Sequence, residues 1–332
     1  MSPGAAVLAV DGGNSKTDVA LVAADGRLLS LVRGPTTSHQ AVGMGPGIER
    51  LIALVSTAAS EAGLDPAVHP VAQVGVHAIA GADYASDIRS LKSALRGAGL
   101  TDEVAVVNDT IGALWAGSSA GWGIALICGE GINGAAVAPD GRTVRFDGVG
   151  DISGDWGGGH TLGMEAVAAA VRAADGRGPA TSLERLVPAH FGLKRPSALT
   201  RALYHNQIPE RRTSELSPLV FAAAGDGDAM ARSIIDRLAD ELAVMAIALA
   251  RRTRMTKLEV EVVLAGGVFR ATDAAFYDRL DDRVRLVVPA ARFVHLDVPP
   301  VAGPALEGLA RLGNADDHAR ARLREGLRSF RD

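Results

Sequence analysis

Residues 5–23 read AAVLAVDGGNSKTDVALVA: a six-residue apolar run, the turn Asp11-Gly12-Gly13-Asn14-Ser15-Lys16, and an alternating run from Thr17. The first run is too short for a helix and is closed by two glycines, so it reads as a buried strand. The alternation of the second reads as a second strand. Ala24-Asp25-Gly26 carries a hairpin signal, and Arg27–Arg33 returns as a third strand. Helical periodicity follows over 45–62, then a strand over Val71–Ile79, a helix over 84–99, and a strand over Glu103–Val107. That strand runs into Asn108-Asp109, with a helix opening near Thr110.

The order then recurs. Gly123–Cys128 is an apolar strand that meets Gly129-Glu130-Gly131. Ala135–Ala138 and Thr143–Phe146 flank the turn Pro139–Arg142, and a glycine-dense loop runs from Gly148 to Gly159. Residues 160–253 read as mostly helical, ending in a long Ala-rich helix over 227–252. The strand Val260–Ala265 stops at Gly266-Gly267, Val284–Val288 reads as the last strand, and 302–313 and 317–329 read as helices. A glycine-punctuated strand order that appears twice implies two related α/β halves with a central cleft.

Composition narrows the function. A chain of 332 residues has room for two cores, and 48% hydrophobic with 22% charged residues is a globular balance. The net charge is -4 and no basic stretch stands out, which argues against nucleic acid as the main partner. The single cysteine, Cys128, excludes a disulfide framework and a cysteine-ligated cluster held within one chain. No apolar run reaches the roughly 18 residues of a membrane span, and no basic leader precedes the first strand, so the expected compartment is the cytoplasm.

Three turns follow apolar strands with the same logic: Asp11–Lys16, Gly129-Glu130-Gly131, and Gly266-Gly267. Glycine lets the backbone bend and lets its N–H groups approach an anion. None has P-loop spacing, and none is a GxGxxG that opens a helix. Asp11, where the first strand meets its turn, either caps its own backbone or anchors Mg²⁺ through water, because that ion takes one or two carboxylates and phosphate oxygens. Ser15 and Lys16 would face phosphate as donors; alternatively Lys16 is a solvated lysine. Asp109 stands at the end of a buried strand, where open α/β sheets place ligands. It reads either as the N-cap of the next helix or as a general base that takes a proton from an acceptor hydroxyl. Asp155, on the glycine loop that begins at Gly148, is either an ordinary loop carboxylate or an acceptor for a polyol hydroxyl. Ser38 and His39 in Thr36-Thr37-Ser38-His39-Gln40 carry the same alternatives.

At these residues the sequence resembles the actin/hexokinase/Hsp70 superfamily, and within it the BadF/BadG/BcrA/BcrD ATPase family with its amino-sugar kinase branch. Asp11–Thr17 resembles the first phosphate loop, usually D/E-G-G-G-T-K/R. Val107–Gly112 resembles the segment that carries the catalytic aspartate. Thr36–Gln40 resembles the sugar segment S-T-N-H-W, with Ser38 in the place of Asn and Gln40 in that of Trp. Cys128–Asn133 resembles the second phosphate loop, G-T-G-x-N, with Glu130 at the Thr. Gly154-Asp155 resembles the second sugar-contacting loop, Val263–Val268 the adenosine segment, and Pro300–Ala305 the terminal G-G-A-x-L-G-A segment.

The resemblance implies two ribonuclease-H-like domains, residues 1–112 with 300–332 on the sugar side and 113–299 on the nucleotide side. It implies ATP-dependent phosphorylation of an amino sugar, at O6 of N-acetylglucosamine or glucosamine, with Asp109 as base and Asp11 for Mg²⁺. Gly12, Gly13, Asn14, Ser15, Lys16, Gly129, Glu130, Gly131, Gly266 and Gly267 would bind nucleotide. Ser38, His39, Asp109, Gly148 and Asp155 would bind the sugar, in a homodimer. The competing readings are a non-catalytic sugar or ATP sensor, or an ATPase activator, which would need paired cysteines to share a cluster. A repressor would need a helix-turn-helix before the first strand, where there is no room.

Overall fold

The first strand owes its unbroken apolar run to burial on both faces. The computed structural model describes residues 4–329, and β1 (Ala5–Gly12) lies at the centre of a five-stranded sheet. Leu8 and Val10 join one core with Leu51, Val55, Leu91 and Leu95, from helices Met44–Glu61 and Ala85–Gly97. Val7 and Ala9 join another with Leu306, Leu309, Leu323 and Leu327, from helices Ala302–Arg311 and Asp317–Arg328. A strand covered on both sides has no polar face to alternate with.

The sheet order is β3-β2-β1-β4-β5, with β2 (Lys16–Val22), β3 (Leu28–Pro35), β4 (Ala72–Ile79) and β5 (Thr101–Asn108). The pairs β1–β2 and β2–β3 are antiparallel, while β1–β4 and β4–β5 are parallel. The parallel register aligns Gly12 with Ile79 and Ile79 with Asn108. Strands β1, β4 and β5 therefore end level, with Asp11 and Asp109 at their carboxyl ends.

The second sheet is ordered β10-β9-β6-β7-β8, from β6 (Gly123–Cys128), β7 (Ile132–Val137), β8 (Thr143–Arg145), β9 (Val260–Ala265) and β10 (Ala291–His295). With β6–β8 in the roles of β1–β3, and β9 and β10 in those of β4 and β5, this is the first sheet's order again. Each sheet has the strand order expected of the ribonuclease-H-like domains that the resemblance implies. The helix Ala229–Arg252 opens on Asp228, whose Oδ1 accepts the N–H groups of Met230 at 3.0 Å and Ala231 at 2.9 Å.

The chain divides into two compact units. One takes in the chain up to Ala125, Pro139–Gly141 and the chain from Val294 onward; the other takes in Leu126–Ala138 and Arg142–Phe293. Residues 1–3 and 330–332, the ends of the expected first domain, lie outside the described residues. Among the described residues no helix is long and apolar enough to cross a membrane.

One expected strand is a helix end. Val284–Val288 takes in the last two residues of the helix Ala274–Arg285 and the turn after it rather than forming a strand. Val284 and Val288 are fully buried, four residues apart, while Leu286 between them is 78% exposed. That is helical spacing, which a short apolar run does not reveal by composition alone. The true last strand, β10, is an edge strand with Arg292 and His295 in it, so its sequence lacks the apolar run of a central strand.

His77 is buried on β4, next to the central strand of the first sheet, and its Nδ1 has no partner. Burial lowers it to about 4 from the usual 6.5. Between those values the unfolded chain binds a proton that the folded chain refuses. Stability therefore falls as pH drops from 6.5 towards 4, by on the order of 3 kcal/mol. Acid unfolding followed by circular dichroism should show a flatter acid limb for His77→Met than for the unmodified chain. Parallel limbs would contradict this.

Candidate active site

In the first unit the site begins as a hairpin tip. Gly13 N–H donates to the Lys16 carbonyl at 3.0 Å, which leaves Asn14, Ser15 and Lys16 exposed. Asp11 enters this turn beside Ala78 and opposite Asp18. Two carboxylates directly across an antiparallel pair repel. Arg33, Asp18's partner on β3, offsets this with a fork, Nε to Oδ1 at 2.7 Å and Nη2 to Oδ2 at 2.9 Å.

Asp11 is pushed up to about 7. Burial acts first, then the charges of Asp109 and Asp18, against the opposing pull of Lys16 and Arg33. Asp109 thus lies close enough to Asp11 for their charges to interact. The alternative role for Asp109, capping its helix, falls instead to its neighbour. Asn108 Oδ1 accepts from Thr110 N at 3.1 Å and from Thr110 Oγ1 at 2.6 Å, while its Nδ2 donates to Asp83 Oδ1 at 3.1 Å. Asp109 is the first residue of the helix Asp109–Gly117, on a backbone fixed by its neighbour's cap.

These carboxylates set the terms for a metal. Among the described residues no cluster of three or more His, Cys, Asp or Glu could enclose an ion. Burial raises Asp11 most, and the neighbouring negative charge that adds to it is what a divalent cation offsets. A single carboxylate with waters and phosphate oxygens suits Mg²⁺, which rarely takes an all-protein cage. The residues present fit that ion at Asp11.

The segment Thr36–His39 is stitched to the same turn. Thr36 Oγ1 donates to the Gly13 carbonyl at 2.8 Å, Thr37 N–H to Thr17 Oγ1 at 3.0 Å, and Ser38 Oγ to Asn14 Oδ1 at 2.9 Å. Ser38 is fully buried. His39 is partly buried, and its Nδ1 has no partner.

In the second unit, Gly129 N–H donates to the Gly131 carbonyl at 2.9 Å, so this amide is used within its own turn. The turn carries the start of helix Gly158–Ala174, since Gly159 N–H donates to the Gly129 carbonyl at 2.8 Å and His160 N–H to that of Glu130 at 2.9 Å. The third glycine turn packs against the second. Gly266 has φ +110°, and a Cβ there would lie 2.3 Å from the Cys128 carbonyl oxygen, so only glycine fits. Cys128 is buried, which pushes its thiol up to about 12 and leaves it chemically quiet.

Two adjoining cavities open beside these turns. One, of about 490 Å³, is lined by Gly129, Glu130, Gly159, Arg211, Arg212 and Gly267, among others. The second, of about 690 Å³, shares Ser217, Pro218, Gly267 and Val268 with it and reaches Phe221 and Arg270. Arg212 is forked onto Glu215 at 2.7 and 3.0 Å, and this contact, with a smaller one from His190, holds Glu215 down to about 2. Asp155 is engaged in its own loop, where Oδ2 accepts from Ser153 Oγ and from Gly150 N–H at 3.1 Å. Gly148 has φ +66°, and a Cβ there would lie 2.1 Å from Asn133 Nδ2.

Within the first unit, then, Asp11, Lys16 and Asp109 come together, as do Asn14 and Ser38. Within the second, Gly129, Glu130 and Gly267 line one cavity. The sequence reading missed Asp18 with Arg33, although a hairpin about Ala24-Asp25-Gly26 places them opposite each other. It also missed Arg211 and Arg212, which stand in the 3₁₀ segment Glu210–Leu216 and carry no local signal.

The family model described as BadF/BadG/BcrA/BcrD ATPase family matches residues 8–308. An N-acetylmuramic acid/N-acetylglucosamine kinase of Clostridium acetobutylicum is 27% identical over 292 residues, which cover 87% of this chain and 94% of that relative. An N-acetyl-D-glucosamine kinase of Dictyostelium discoideum is 25% identical over 315 residues, 91% of this chain and 97% of that one. A crystal structure from Chromobacterium violaceum, provisionally assigned as an N-acetylglucosamine kinase, superposes with a TM-score of 0.71 at 23% identity, covering 92% of this chain and 100% of that chain. At that identity the likeness is one of fold.

Proposed function

Because the chain belongs to the BadF/BadG/BcrA/BcrD ATPase family, we propose that it is an ATP-dependent kinase that phosphorylates an amino sugar, N-acetylglucosamine or glucosamine, at O6. The observation that carries this is the pair Asp11 and Asp109 at the level carboxyl ends of β1 and β5, with Asp109 relieved of capping by Asn108. The two full-length relatives, each named as a kinase of an N-acetylated amino sugar, support the acceptor class.

In this reading Asp109 accepts the proton of the sugar hydroxyl as that oxygen attacks the γ-phosphorus. The new O–P bond forms as the bond from the γ-phosphorus to the β,γ-bridging oxygen breaks, and ADP carries away that electron pair. Asp11 would hold Mg²⁺, which when bound would supply neutralising charge to the phosphate oxygens. Gly12, Gly13, Ser15 and Lys16 bind phosphate from the first turn; Lys16 contributes a point charge and Ser15 a hydroxyl donor. In the second unit Gly129, Gly131, Gly266 and Gly267 leave room for the nucleotide, and Arg211 offers it a cation. That cation compensates Glu130, which as a carboxylate only accepts hydrogen bonds. His39, Gly148 and Asp155 bind the sugar, and Ser38, buried in the same segment as His39, supports that side of the site. For Asp155 this requires exchanging its bonds to Ser153 and Gly150 for one to a sugar hydroxyl. The same reading makes the protein a cytoplasmic homodimer.

A coupled ADP-release assay across N-acetylglucosamine, glucosamine, N-acetylmuramic acid, N-acetylmannosamine and glucose tests the reading. Release should rise severalfold with an amino sugar and stay at background with glucose. ADP release that no sugar stimulates would count against a kinase.

A further inference from the structure

Asn14 is the one member of the first turn whose side chain is committed to the neighbouring segment. It is exposed at the hairpin tip, yet its Oδ1 accepts from Ser38 Oγ at 2.9 Å. Ser38 is 0% exposed, so water does not compete for its hydroxyl. Its own backbone is fixed, because Ser38 N–H donates to Thr36 Oγ1 at 3.0 Å and that hydroxyl donates to the Gly13 carbonyl. A carboxamide whose oxygen is held this way keeps both of its N–H donors for a ligand.

The turn departs from three glycines at Asn14, and the segment departs from asparagine at Ser38. These two departures touch each other. A carboxamide absent from position 38 is present at position 14, and the serine left behind orients it.

We propose that the two departures are one exchange: Asn14 binds the acceptor sugar through its Nδ2 donors, and Ser38 is the residue that positions it. The proposal rests on the kinase reading above and moves Asn14 from the nucleotide to the sugar. Donors that face the ligand favour an acceptor oxygen, such as a ring hydroxyl or an amide carbonyl. They disfavour a protonated amine, whose N–H groups would meet them donor to donor. The site therefore prefers a neutral N-acetylated amino sugar to its free-amine counterpart.

Calorimetric titration of N-acetylglucosamine and glucosamine, paired with steady-state kinetics, tests this on the full chain. N14G, at an exposed tip, should weaken N-acetylglucosamine binding by about tenfold, the scale of one hydrogen bond, and leave the KM for Mg-ATP within about twofold. S38A should shift sugar binding in the same direction by less. N14G/S38N, which returns the carboxamide to the segment, should recover most of the lost affinity. A rise in the KM for Mg-ATP with sugar affinity unchanged, an S38A variant that binds sugar normally, or an unmodified chain that binds no amino sugar would each overturn the proposal. An unmodified chain that binds sugar tightly but never turns over would instead overturn the kinase reading and leave the binding comparison intact.

Discussion

Asp109→Asn should lower kcat by about 10²–10⁴-fold while the chain folds as before. The carboxamide keeps the shape and the helix start but cannot take a proton at neutral pH. Folding should survive because the cap at this helix is Asn108, bonded to Thr110 and Asp83, and not Asp109. Removing one of the charges that raise Asp11 should also ease that neighbour's ionisation. The variant should therefore bind Mg-ATP at least as well as the unmodified chain and transfer phosphate far more slowly. Near-normal kcat in a well-folded variant would remove Asp109 from the chemistry. Unfolding, by contrast, would show that the carboxylate's role is structural.

Asp11→Asn should cost about 10²-fold or more in kcat/KM for Mg-ATP, with the sugar affinity little changed. The direction of the Asp11 shift adds a pH signature. With its folded value near 7 against 3.8 for the ordinary group, protons compete with Mg²⁺ below neutrality. Apparent metal affinity should fall by up to about tenfold per pH unit below 7 and level off above it. Stability of the metal-free chain runs the other way. From pH 4 to 7 the folded state holds a proton that the unfolded state has lost, so the raised value costs stability as pH rises through that window. Metal-free Asp11→Asn should melt above the unmodified chain at pH 8 and close to it at pH 4. A variant that loses activity and also melts lower at pH 8 would mark Asp11 as a structural residue instead.

Much of this was legible because glycine turns follow buried strands. Asp11-Gly12 closes β1, Cys128 closes β6, and Ala265 closes β9, each where an apolar run meets glycine. The missed last strand shows the limit: Val284–Val288 is apolar because one helix face is buried, whereas edge strand β10 is half polar. The site was legible to a similar depth. Spacing placed Asn108 and Asp109 together at a strand end, but only the hydrogen bonds from Thr110 tell which of two adjacent capping-type residues caps. Arg211 was invisible for a tertiary reason. It reaches the glycine turns because Glu210–Leu216 lies against the helix Gly158–Ala174, where Thr213 Oγ1 is 3.3 Å from His160 Nδ1. The bond from Ser38 to Asn14 likewise joins residues 24 apart in sequence.

The most direct measurement is of the product. The purified chain, incubated with Mg-ATP and N-acetylglucosamine, should yield one sugar monophosphate for each ADP. Phosphorus and carbon NMR should place the phosphate on O6, and Asp109→Asn under the same conditions should yield almost none. ADP formed without any sugar phosphate, or a sugar phosphate formed equally well by Asp109→Asn, would contradict the account.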